Sequence, residues 1–285
     1  MKCETDFVAQ NADFIKLTQD ILDLAVANNC KTLDEVKALP MGNGTVQDAV
    51  TDRSGITGEK MELDGYLTVE GASTVVYNHM NRNGLCTIAA FNKEVNEQLA
   101  KEVAMQIAAM NPEYISRNDM SADELAKLRE IIVDSALNDP ATLPKPILNK
   151  LIEKAISEKI WSDADIATYE EHKSNMQYLF NFLTKEAAAQ LAELALADKA
   201  NIVADKIFNG LVEGRVSKQL KEICLMDQVY VKAEDGKQSV AKYIAEVGKA
   251  AGSSFTIKKF VRFEVGEGLE KKNEDFAAEV AAQLA

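Results

Sequence analysis

The sequence predicts an α+β protein: an antiparallel sheet of three or four strands packed with helices, interrupted by a long inserted antiparallel helical hairpin. Three observations carry that expectation. Residues 73–80 and 85–91 read as strands joined by Asn81-Arg82-Asn83-Gly84, whose residues tolerate the positive φ a tight hairpin needs. Residues 121–220 lose strand character and place apolar side chains at three- and four-residue steps. Strand-like sequence then returns at 228–232 and 256–265, so the sheet is expected to be completed after the helical region. The expected division is 1–58 as a first core subdomain, 59–120 with 221–265 as a second, 121–220 as the coiled-coil-like insertion, and 266–285 as a terminal helical module.

In order along the chain, Cys3 to Phe7 reads as the end of a strand entering a turn. From Asn11, a good N-cap, the spacing of Phe14, Leu17, Ile21 and Leu24 predicts a helix. Asp6 and Phe7 are left at a strand-to-helix corner, off any repeating apolar face. Two roles fit them: Asp6 caps the turn while Phe7 fills local core, or the corner offers an aromatic wedge and a carboxylate to a partner. Residues 32–39 predict a short helix, broken by Pro40 and Gly42-Asn43-Gly44, and 45–53 another turn of helix. Met61, Leu63, Leu67 and Val69 alternate with polar residues as in a half-buried strand. A helix over 95–110 carries Leu99, Val103 and Ile107 on one stripe and stops at Asn111-Pro112.

Ser121 and Glu124 form a capping box that opens the helical region. Pro140, Pro144 and Pro146 punctuate it, and 147–160 is amphipathic. Ser162 with Asp165 opens the longest run, to about residue 197, along which Met176, Phe180, Leu183, Ala187, Leu191 and Leu194 recur. Unbroken, that helix would be about 50 Å long at ~1.5 Å per residue. Residues 201–220 continue as helix, weakened at Gly210 and Gly214. A helix over 239–251 ends at Gly252, and 275–284 predicts a last helix with Phe276, Val280 and Leu284 on one stripe.

At 285 residues, more than one domain is expected. The 32 basic and 45 acidic side chains leave a formal charge of -13, which argues against a nucleic-acid partner, since phosphate binding needs a basic face. The four cysteines (Cys3, Cys30, Cys86, Cys224) are dispersed, and neither His79 nor His172 has metal-ligand spacing. Reduced thiols, a cytoplasmic location and no membrane partner are the expectation, because no apolar run approaches the ~20 residues of a span. No P-loop, dinucleotide fingerprint or Gly-x-Ser-x-Gly elbow occurs, so no cofactor is expected. A scaffold or dimerisation protein built on the helical hairpin, and an enzyme using unmarked carboxylates, both stay open on the residues alone.

The string Thr5-Asp6-Phe7-Val8-Ala9 with Asn11, followed by Tyr77-Asn78-His79, Val103-Ala104-Met105-Gln106-Ile107-Ala108-Ala109, Val212-Glu213-Gly214-Arg215, Arg262-Phe263-Glu264-Val265-Gly266-Glu267-Gly268 and Asp275-Phe276-Ala277-Ala278-Glu279-Val280, resembles the elongation factor Ts family. The motifs stand in the family's order and cover most of the chain apart from about 138–197, which looks like an enlargement of a shorter helical hairpin. The resemblance implies a nucleotide exchange factor, not an enzyme, whose partner is elongation factor Tu, GDP-bound or nucleotide-free. It implies partner contacts at Thr5, Asp6, Phe7, Val8, Gly58, His79, Phe276 and Val280, with a homodimer through the hairpin as a further expectation. It also implies an upstream ubiquitin-associated-like module and two strands, so that 1–58 is expected to be a remnant of its subdomain.

Overall fold

A computed structural model describes residues 1–252 and 254–269. The chain divides into two compact units, Met1–Ile115 with the chain from Val229 onward, and Ser116–Gln228. In the first, the expected strand at Cys3–Phe7 is absent. Only Lys2 makes a bridge, antiparallel to Glu62. Thr5 instead caps a four-residue helix, α1 (Asp6–Ala9), its hydroxyl accepting from the Val8 N–H at 3.4 Å. Helix α2 (Ala12–Ala27) follows under the Asn11 cap, and α3 (Leu33–Ala38) under a Thr32–Glu35 capping box. Strands β1 (Pro40–Met41) and β2 (Gly44–Thr45) form a two-residue hairpin. Thr45 and Asp48 then open α4 (Val46–Thr57), which runs past the single turn expected there. Phe14, Ile21, Val36, Val46 and Val50 from these helices close over Met61 and Leu63 in one core.

Residues 60–69 keep their alternation at Met61 and Leu63 but not their strand. Beyond the Lys2–Glu62 bridge they join no ladder, and Leu67 is exposed. The run is held by other contacts instead. The Lys259 ammonium donates to the Thr68 carbonyl at 3.1 Å, and Gly71 passes so close to the sheet that a Cβ would sit 2.7 Å from the Phe91 carbonyl oxygen.

Strands β3 (Ser73–Asn78) and β4 (Leu85–Phe91) pair antiparallel from Ser73↔Phe91 to Asn78↔Cys86. Their link is longer than the expected four-residue turn. It begins with a 3-10 turn at His79–Asn81, and positive φ falls on Met80, Asn81 and Asn83. Asn78 closes it, its side-chain oxygen accepting from the Asn83 N–H at 3.0 Å. Helix α5 (Glu97–Met110) packs on β3 and β4, and the buried Thr87 hydroxyl donates to the Ala104 carbonyl at 2.9 Å.

The second unit is helical: α6 (Ala122–Asn138), α7 (Lys145–Ser157), α8 (Asp163–His172), α9 (Lys185–Ala197), α10 (Lys199–Ala204) and α11 (Lys206–Ile223). The 50 Å helix expected from Ser162 does not form. It is α8, a 3-10 stretch over Lys173–Asn181 broken at Asn175 (φ -130°, ψ 64°), and α9. Asp165 explains the fold-back, because its carboxylate takes the Ser162 hydroxyl at 2.6 Å and the Thr184 hydroxyl at 2.8 Å, tying the start of α8 to the cap of α9. Those bonds hold the Asp165 carboxyl below the usual range, the Ser162 bond most of all. The stripe of Ala187, Leu191 and Leu194 lies on α9 alone. Arg117 and Asp227, 2.9 Å apart, join the two ends of the unit.

Back in the first unit, the strand expected at 228–232 shrinks to one bridge, Val229 to Ser239. Its place is taken by a side chain. Fully buried Gln106 donates to the Val229 carbonyl at 3.1 Å and accepts from the Val231 N–H at 2.8 Å. Helix α12 (Val240–Ala250) stops at Gly252 (φ 64°), and β5 (Ile257–Glu264) completes a three-stranded sheet of order β3-β4-β5. The α+β class therefore holds. Among the described residues no helix is long and apolar enough to cross a membrane. The helix expected at 275–284 lies outside the described residues.

Candidate partner-binding site

Helix α1 is too short to be stable alone, so its flanks fix it. Ala9 is buried and Val8 packs on the core, which seats one face and turns the other outward. Phe7 stands on that outer face, 90% exposed. It does not fill the core, and Asp6 does not cap the turn. Thr5 is the cap, and Asp6 sits exposed in the first turn, where the helix dipole favours a carboxylate.

Gly58, fifty residues on in the sequence, belongs to the same place. It ends α4 in the left-handed conformation (φ 75°, ψ 0°), its N–H donating to the Ser54 carbonyl at 2.9 Å. The next residue, Glu59, reaches back to Thr5: one carboxylate oxygen accepts the Thr5 hydroxyl at 2.5 Å and the other the Thr5 N–H at 3.1 Å. Ser54 anchors Glu59 in turn, its hydroxyl donating to the Glu59 carbonyl at 2.6 Å. Below, burial pushes the Cys3 thiol up to about 11, with the Glu59 carboxylate adding to the shift.

His79 stands elsewhere in the unit, at the end of β3. Its Nδ1 lies 3.0 Å from the Tyr77 hydroxyl, which orients the ring. Met80 beside it takes a positive φ and is exposed. A cavity of about 340 Å³ in the same unit is lined by Ala9, Phe14, Leu22, Asn83, Cys86 and Phe263 among others. Phe276 and Val280 lie outside the described residues. Two further side chains stand out in the structure. Ile56, 73% exposed, falls off the Val46/Val50 stripe of α4, a signal readable in the sequence. Glu59 gave none, since its role depends on a contact 54 residues away.

The described site is thus an exposed aromatic on a short helix that is capped by Thr5 and braced by Glu59. Comparisons with known proteins place the chain in a family. The family model described as Elongation factor TS matches residues 4–167 and 180–267. Elongation factor Ts of Bacteroides thetaiotaomicron is 51% identical over 266 residues, covering 92% of this chain and 76% of that protein. The Bacteroides fragilis protein of the same name is 47% identical over the same shares, and that of Clostridium perfringens 32% over 287 residues, 99% of this chain. The chain belongs to the elongation factor Ts family, and its role is in translation elongation.

Proposed function

We propose that this chain binds elongation factor Tu, GDP-bound or nucleotide-free, and accelerates GDP release. The observation that carries the proposal is Phe7, a large aromatic held 90% exposed on a braced helix in the segment that matches the family's motif. A GTPase holds GDP through phosphate contacts and a bound Mg²⁺ whose charge dominates the site. An exchange factor adds no chemistry to this. It binds best the conformation that holds nucleotide poorly, and so shifts the population toward it. Phe7 is the wedge, with Asp6, Thr5, Val8 and Gly58 around it, while His79, oriented by Tyr77, grips a more distant part of the partner. Phe276 and Val280 are proposed as contacts to the nucleotide-binding domain. The test is release of a fluorescent GDP from elongation factor Tu with and without the chain. Acceleration that rises with chain concentration supports the proposal, and an unchanged rate at saturation overturns it. Self-association without binding to the GTPase would favour the helical unit as a scaffold or homodimer interface instead.

A further inference from the structure

We propose that Glu59 is a positioning residue for Phe7: it acts on the partner only by holding α1, and with it the exposed ring, in place. The inference rests on the exchange-factor reading of the chain. A four-residue helix such as α1 has little hydrogen bonding of its own, and its first N–H groups need outside acceptors. Thr5 supplies one, accepting from Val8, but an exposed threonine outside the helix is itself in need of restraint. Glu59 restrains it at two points, accepting both the backbone N–H and the hydroxyl of Thr5. The hydroxyl that donates to Glu59 keeps its lone pairs for Val8, so a single side chain serves cap and brace together.

The brace is itself anchored. Gly58 turns the backbone at the end of α4 through a positive φ, and Ser54 fixes the Glu59 carbonyl, so the carboxylate is presented from a twelve-residue helix rather than from a loose loop. Behind α1, Cys3 and Ala9 are buried and hold the backbone from the core side. The Phe7 ring, 90% exposed, takes no anchorage from the core. Its direction is set by α1, and α1 is set by Thr5, Glu59 and the buried pair. A segment whose backbone moves freely would lose that freedom on binding, and pre-ordering α1 removes that cost for the residue that carries the ring.

The test is a double-mutant cycle on GDP release from elongation factor Tu, with amide hydrogen exchange as the second readout. Glu59→Ala should slow release by roughly fivefold, the net size of one ordinary hydrogen bond, since both bonds to Thr5 are exposed. Phe7→Ala should slow it more, and the double variant should be no slower than Phe7→Ala alone, because Glu59 has nothing left to position. Amide exchange at Val8, Ala9 and Gln10 should speed up in Glu59→Ala while the thermal midpoint holds. Effects that multiply in the double variant would mean that Glu59 meets the partner directly and would overturn the proposal. Unchanged amide exchange at 8–10 would also overturn it, whatever the release rates. If the unmutated chain fails to speed release, the exchange-factor reading falls, and the wedge positioned by Glu59 falls with it even where the amide result shows the brace.

Discussion

Among the described residues Phe7 is the most exposed of the large apolar side chains, which suits the wedge proposed for it. Phe7→Ala should therefore leave the thermal midpoint nearly unmoved while slowing GDP release by at least about tenfold, since aromatic anchors at interface centres commonly cost ~2 kcal/mol on truncation. A large fall in midpoint with release preserved in the folded fraction would return Phe7 to the core. Cys3 beneath it makes a different prediction. Burial raises its thiol from 9.0 to about 11, so the folded state keeps a proton that the unfolded chain loses first. The stability this contributes is full below pH 9 and is lost as pH climbs from 9 to about 11. Unfolding measured across that window should show a steeper alkaline decline for the native chain than for Cys3→Ala, and equal slopes would refute it. At this scale the residues alone left the roles of Asp6 and Phe7 open, and the structure makes Thr5 the cap and leaves Phe7 exposed. The Thr5–Val8 segment and His79 are singled out only by the family resemblance, since the residues alone read equally as cap, core and strand end, whereas Glu59 and Tyr77 come into view only through bonds that folding creates.

Helices whose signals are local were the legible elements. Thr32–Glu35, Thr45–Asp48 and Ser121–Glu124 are capping boxes written within four residues, and each starts a helix where it stands. The elements that failed depend on distant partners. Residues 60–69 have strand alternation but no strand beside them, and 162–197 has helical periodicity that Asp165 and Thr184 override by pinning two caps together. The segment 229–231 is the sharpest instance, because its backbone pairs with the Gln106 side chain rather than with a strand. Gln106 lies in one of the motifs that signal the family, and its role here is to hold the chain as it enters the last part of the sheet domain. Gln106→Leu keeps the shape but removes the two part-buried bonds to the Val229 carbonyl and the Val231 N–H, which should cost roughly 1–2 kcal/mol. Denaturant titration should show the midpoint fall with faster amide exchange at Val231, and an unshifted midpoint would mean that water replaces the side chain.

Across the whole molecule the insertion of Ser116–Gln228 between the halves of one unit is what periodicity could announce but not shape. We propose that the partner is met from the first unit, where Phe7, Gly58 and His79 all lie, and that the helical unit is no part of the wedge. Binding at that site and GDP binding are then two arms of one thermodynamic square. If the chain weakens the GTPase's hold on GDP by some factor, GDP must weaken the GTPase's hold on the chain by the same factor. That equality holds whatever the bound geometry. Titrating elongation factor Tu with the chain in the presence and absence of saturating GDP and Mg²⁺ gives one ratio of dissociation constants. Titrating it with GDP in the presence and absence of saturating chain gives the other. The ratios should agree, and each should exceed roughly tenfold, about 1.4 kcal/mol of coupling. With Phe7→Ala both should shrink together, because the wedge is what distinguishes the two states of the partner. A chain that binds equally well with and without GDP would be a ligand of the GTPase with no hold on its nucleotide.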